Sequence, residues 1–180
     1  PMGDALRDAL RAAGVEWHLG TSVSRVSKSD NGYSVLLASG ATLESDLVLS
    51  AVGLRARTQL AADAGLDVDC GIQVNAALQT SDPCIYALGD CAEVTGRVLP
   101  FVMPLMTCAR ALAKTLSGDL TDVVYPPMPV VVKTPACPTV VLPPDAGVDG
   151  AWQLEGDAPD LTARFVGPNG ALLGFALTGG

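Results

Sequence analysis

Hydrophobic and polar positions change rhythm several times along this chain, and each rhythm predicts a different element. From Met2 to Ala13 the leucines Leu6 and Leu10 stand four apart, as on one face of a helix, and Gly14 supplies a C-cap. Val15 to Leu19 then reads as a strand that includes His18. Thr21 to Val26 and Tyr33 to Leu37 alternate about Ser29-Asp30-Asn31-Gly32, and Asn-Gly between alternating segments signals a hairpin. The run Asp46-Leu47-Val48-Leu49-Ser50-Ala51-Val52-Gly53 is apolar on consecutive positions, which predicts a parallel strand buried on both faces. Open α/β sheets bind ligands beyond such strand ends, but a buried strand with a turn glycine explains this piece equally well.

Further along, Gly71 to Asn75 and Leu78 to Pro83 read as a hairpin leading into the strand Ile85-Tyr86-Ala87-Leu88, then Gly89-Asp90-Cys91-Ala92-Glu93 and a helix. Leu99 to Pro104 opens another helical run, with Leu105, Cys108, Leu112 and Leu116 on one side, Pro104 in its first turn and Gly118 at its close. Tyr125-Pro126-Pro127-Met128-Pro129 has the composition of an interdomain linker. Beyond it, Val130 to Val132, Thr139 to Leu142, Trp152 to Glu155, Leu161 to Val166 and Ala171 to Leu177 are short strands divided by Gly, Pro, Asp and Asn. Together they predict an antiparallel C-terminal domain.

Composition narrows the function classes. Of the 180 residues 49% are hydrophobic, enough for a packed core. Eleven basic against nineteen acidic residues leave a net charge of −8, a surface that repels nucleic-acid phosphates and anionic membranes. Aromatic residues make up 4%, too few for base-stacking platforms. No apolar run approaches the ~20 residues of a membrane span, so a cytoplasmic protein is expected. Cys70, Cys84, Cys91, Cys108 and Cys137 form no CxxC pair, and His18 has no second histidine. The cysteines therefore read as small hydrophobes or inert surface thiols, and no metal site is expected.

Chemistry concentrates at Gly89-Asp90. Glycine lets backbone approach a ligand closely, and a carboxylate is an acceptor-only group able to take hydroxyl protons. Alone, the pair also fits a strand-turn-helix with a capping aspartate. With the Gly71 to Pro83 pattern and the upstream strand end Ala51-Val52-Gly53-Leu54-Arg55, it resembles the second FAD signature of the pyridine nucleotide-disulfide oxidoreductase superfamily. The resemblance implies that Gly89 and Asp90 bind FAD, Asp90 accepting hydrogen bonds from the ribityl hydroxyls. It implies further that Val102 and Met103, at the start of the next helix, present free amides to the flavin and favour negative charge on the reduced ring. Gly53 and Leu54 would border NAD.

The segments VMPLMTCARALA and MPVVVKTPACP are similar, more narrowly, to bacterial rubredoxin reductases, and this similarity runs from the Met2 helix to Phe175. It implies an α/β fold: part of a reductase with two Rossmann-like dinucleotide-binding domains, followed by a small α+β antiparallel C-terminal domain. Residues 1–69 would be the C-terminal half of the NAD-binding domain, 70–124 a returning segment of the FAD-binding domain, and 125–180 a truncated C-terminal domain. The implied cofactors are FAD and NAD(P)H, and the implied partner is rubredoxin or a similar small electron-transfer protein. Lys133 would face the flavin from the C-terminal domain, and Arg55, Arg57, Arg97 and Lys133 are candidates for a basic docking patch.

No GxGxxG or GxGxxA occurs, so both dinucleotide motifs are expected upstream of Pro1, and the piece alone is expected to be inactive. Electron transfer needs a positioned flavin and partner rather than an acid and a base, so no catalytic side chain is nominated. Two other readings stay open: a ferredoxin reductase component of an oxygenase system, and a non-catalytic fragment or interaction module.

Overall fold

The structure, a computed structural model, describes residues 1–179. They divide into two compact units, one built from Pro1–Ser50 plus the chain from Pro129 onward, the other from Ala51–Met128. No helix among the described residues is long and apolar enough to cross a membrane.

In the first unit helix α1 (Met2–Ala12) has Asp4 in its first turn and Arg11 in its last, both placed to complement the helix dipole. Gly14, at φ +94°, closes it with an N–H donated to the Arg11 carbonyl at 3.0 Å. Strands β1 (Val23–Ser29), β2 (Gly32–Leu37) and β3 (Thr42–Ser45) form an antiparallel sheet. Ser29 pairs with Gly32, so Asp30 and Asn31 make the turn. Gly32 is fixed by close packing, since a Cβ there would overlap the Ser45 carbonyl oxygen.

Five further strands, β6 (Val130–Val132), β7 (Thr139–Leu142), β8 (Ala151–Asp157), β9 (Asp160–Val166) and β10 (Leu172–Thr178), form an antiparallel sheet in the order β6-β7-β10-β9-β8. Alternation along β9 buries Leu161, Ala163 and Phe165, and the cross-strand partner of Ala163 on β10 is the buried Ala176. Helix α1 packs against β10. On edge strand β8, Trp152 meets Phe165 edge to face with ring centroids 5.3 Å apart and is 51% exposed. The hairpin and the C-terminal antiparallel sheet expected from the sequence are both present.

The second unit holds α2 (Gln59–Asp63), β4 (Ile72–Val74), β5 (Ala92–Val94) and α3 (Val102–Leu116). Strands β4 and β5 pair in parallel. Val74, Ala92 and Val94 join Leu78 and Cys108 in a core flanked by Tyr86, Leu88, Leu112 and Tyr125. Leu78 is fully buried at φ +66°, a conformation that leucine rarely adopts. Asn75 holds it there, the Asn75 Oδ1 accepting from the N–H groups of Ala77 and Gln79 at 3.0 Å each.

Several elements differ from the sequence pattern. Val15 to Leu19 is not a strand: it has no neighbouring strand among the described residues, Leu19 is exposed, and His18 Nε2 meets Glu16 Oε1 at 3.1 Å. Asp46 to Gly53 is likewise unpaired, and Leu47, Leu49 and Val52 are 79%, 84% and 93% exposed. A strand satisfies its backbone only through a partner, and apolarity does not provide one. The Gly71 to Pro83 hairpin is replaced by the β4–β5 pair, so a strand rather than a helix follows Gly89-Asp90. Ile85 to Leu88 pairs only through a bridge from Tyr86 to Gln79. On α3 the buried stripe stops short of Leu116, which is 66% exposed.

Candidate functional site

The Gly89-Asp90 turn is defined by its backbone. Ala92 donates its N–H to the Gly89 carbonyl at 3.0 Å, which leaves Asp90 and Cys91 as the two central residues. Gly89 has φ +88°, a region open to glycine and costly for other residues. A Cβ at Gly89 would lie 3.3 Å from Leu105 Cδ1, so the turn sits against the first turns of α3. Asp90 is exposed at the tip, and no side-chain hydrogen bond or ion pair engages it among the described residues.

Helix α3 begins without a cap. Its N-cap residue, Phe101, is extended, makes no side-chain cap hydrogen bond, and no acidic residue stands in the first turn. The backbone N–H groups of Val102 and Met103 therefore lack the side-chain acceptor that usually closes a helix start. Pro104, which has no N–H, is buried behind them, while Val102 and Met103 are 72% and 49% exposed. Exposed apolar side chains, open amides and a positive dipole end thus coincide on a helix that the Gly89-Asp90 turn meets at Leu105, and the turn itself carries an exposed carboxylate. A flavin ring with its ribityl chain asks for this combination: close backbone approach, an acceptor for hydroxyls, and donors for a ring that becomes negative on reduction.

Behind the turn lies a charged group that the hydrophobic pattern concealed. Glu93, the centre of β5, is only 8% exposed, and its Oε2 accepts the Gly71 N–H at 3.0 Å. Glu93 borders a cleft of about 410 Å³ together with Asp67, Gln73, Asn75, Thr80 and Thr95. On the far side of the core, Tyr125 Oη and Cys108 Sγ lie 3.3 Å apart, and the Arg97 guanidinium stands 5.9 Å from the Tyr125 ring centroid. Burial first, then the Cys108 contact, pushes the Tyr125 phenol well above its ordinary value.

Gly89, Asp90, Val102 and Met103 are thus gathered in one unit. Gly53, at φ +90°, and Leu54, 72% exposed, sit in the unpaired segment with Arg55 and Arg57. Lys133 belongs to the other unit and is exposed just past β6, where the Thr134 N–H closes a tight turn onto the Val132 carbonyl at 3.0 Å. Arg97 is engaged with Tyr125. Sequence reasoning missed Glu93 and Tyr125. A lone acid between Ala92 and Val94 was the available signal for the first, and nothing local marked the second.

Residues 1–113 match the family model for pyridine nucleotide-disulphide oxidoreductases, and residues 122–180 match the rubredoxin binding C-terminal domain. The chain is similar to a rubredoxin-NAD(+) reductase of Alcanivorax borkumensis, 52% identical over 98% of this chain and 46% of that protein. It is similar also to a rubredoxin-NAD(+) reductase of Acinetobacter baylyi, 48% identical over 99% of this chain and 46% of that protein. The chain spans about half the length of these curated relatives. Among solved structures, a ferredoxin reductase from Rhodopseudomonas palustris aligns with a TM-score of 0.81 at 28% identity, covering 97% of this chain and 45% of that one.

Proposed function

The chain belongs to the pyridine nucleotide-disulphide oxidoreductase family, and on that premise we propose that it is part of an FAD-dependent NAD(P)H:rubredoxin oxidoreductase. The observation that carries this reading is the junction of the Gly89-Asp90 turn with the uncapped start of α3, in a chain 52% identical to a rubredoxin-NAD(+) reductase. Under this reading residues 1–69 are the second half of a Rossmann-like NAD-binding domain, 70–124 return to the FAD-binding domain, and 125–180 form a rubredoxin-binding domain. The protein is cytoplasmic under the same reading.

When bound, FAD supplies the conversion between a two-electron hydride donor and a one-electron iron acceptor. The chain's own residues position it. Asp90 accepts hydrogen bonds from ribityl hydroxyls, Gly89 keeps the backbone close, and the Val102 and Met103 amides favour negative charge nearby. Gly53 and Leu54 border the nicotinamide dinucleotide. Lys133 offers a positive charge to an acidic acceptor, and Arg55 and Arg57, in the other unit, are separate candidates for the same role.

The test is stopped-flow kinetics on the full-length protein, with NADH as donor and rubredoxin as acceptor at low ionic strength. Lys133→Met is expected to slow rubredoxin reduction more than it lowers FAD content. Unchanged rates of both flavin and rubredoxin reduction would remove Lys133 from the mechanism. A ferredoxin reductase is the second reading, favoured by the fold likeness to the Rhodopseudomonas palustris enzyme. Fast reduction of a ferredoxin with none of rubredoxin would establish it in place of the first.

A further inference from the structure

The Gly89-Asp90 turn is held from two sides, and only one of them is apolar. On the entry side Ala87 donates its N–H to the carbonyl of Leu78 at 3.1 Å, so the incoming segment hangs on the buried, left-handed Leu78. On the exit side two successive N–H groups of another segment are captured: the Cys91 carbonyl accepts from Ile72 at 2.7 Å, and Glu93 Oε2 accepts from Gly71 at 3.0 Å. Gly71 is pressed so tightly here that a Cβ would lie 2.9 Å from the Glu93 nitrogen and 3.0 Å from the Cys91 oxygen.

A carboxylate at a position 92% removed from solvent is costly unless its hydrogen bonds are strong. In β5 an apolar residue would complete the strand without that cost, since Ala92 and Val94 on either side are buried hydrophobes. What the carboxylate adds is a fixed distance between Gly71 and the strand that leaves the turn. Cys91 and Ala92, which close the turn, lie between that latch and Asp90. We infer that Glu93 is a positioning residue for the Gly89-Asp90 turn, acting through the hydrogen bond that its buried carboxylate accepts from Gly71. This rests on the reading of that turn as the flavin site.

The experiment measures the FAD dissociation constant, the visible circular dichroism of bound flavin and the thermal midpoint for four variants of the full-length reductase: Glu93→Ala, Glu93→Gln, Gly71→Ala and Asp90→Ala. Glu93→Ala is expected to weaken FAD binding roughly tenfold, the size of one lost charge-assisted hydrogen bond, and to alter the flavin dichroism. Glu93→Gln keeps an acceptor and is expected to stay within about twofold of wild type. Gly71→Ala, which forces the two segments apart without touching Asp90, is expected to follow Glu93→Ala. A lowered thermal midpoint with unchanged FAD affinity and dichroism in both Glu93→Ala and Gly71→Ala would reduce the latch to a fold-stabilising contact and overturn the positioning role. If Asp90→Ala also binds FAD as wild type does, the flavin reading itself has failed and the positioning role falls with it. Weakened binding in Asp90→Ala beside unchanged binding in Glu93→Ala overturns the positioning role alone.

Discussion

Two apolar stretches of this chain meet opposite fates. Ala92–Val94 is three residues long with a glutamate at its centre, yet every residue in it is buried and paired with Ile72–Val74. Leu47 to Val52 is longer and more hydrophobic, yet it is unpaired, with Leu49 84% exposed and Val52 93%. The contrast teaches that a strand is made by its neighbour. A backbone edge with matching donors and acceptors decides the outcome, and hydrophobicity only selects which face turns inward once a partner is present.

The largest expected effect tests this contrast directly in the 180-residue chain. Leu78→Ala empties the centre beneath β5 and should cost about 3 kcal/mol, whereas Leu49→Ala should change stability by no more than about 0.5 kcal/mol. Urea denaturation of both variants decides it, and equal costs would break the contrast. A smaller effect is expected at Tyr125, which ties the segment after α3 to Cys108. Tyr125→Phe should cost about 1 kcal/mol at neutral pH through the lost hydrogen bond.

The same tyrosine carries a pH signature. Its folded value is raised, so its contribution is fully present below the unfolded value of about 10 and is lost as pH rises from there through the folded value. Wild type should therefore lose stability between about pH 10 and higher pH more steeply than Tyr125→Phe does. Parallel urea midpoints at neutral pH and above pH ~10 give the comparison. The smallest effect is expected on the five-stranded sheet, where Arg164 and Glu155 form an ion pair of 2.8 Å between side chains 44% and 62% exposed. A double-mutant cycle there should return about 0–1 kcal/mol, screened by salt.

Much of the fold was legible in the sequence because its signals are local. The helix closed by Gly14, the Asp30-Asn31 turn and the alternation in β9 each depend on residues close together in the chain. Within the candidate site the Gly89-Asp90 turn was legible for the same reason, as an adjacent pair, whereas Val102 and Met103 were nominated only through the family resemblance. What could not be read depends on pairing at a distance. The β4–β5 strand pair joins Ile72 to Ala92 across the turn, and it is this pairing that sets Glu93 beside Gly71, 22 residues away in the chain. Val15 to Leu19 and Leu47 to Val52 were misread in the converse way, since their patterns suit strands whose partners do not occur among the described residues.

The interleaving of the two units has a consequence for how the protein is made. The Ala51–Met128 unit is continuous, so the β4–β5 pair and the bond from the Val123 N–H to the Ala76 carbonyl, at 2.8 Å, can all close before Pro129 is synthesised. The other unit straddles it, and α1 must wait for β10. At ribosomal speed that wait is on the order of ten seconds, long compared with the formation of a helix or a hairpin. During this interval the β1–β2–β3 sheet is complete in sequence while its unit is not. The contacts within Ala51–Met128 can therefore close while the β1–β2–β3 segment still awaits the strands that follow Pro129, and that segment is where a chaperone would have most to hold.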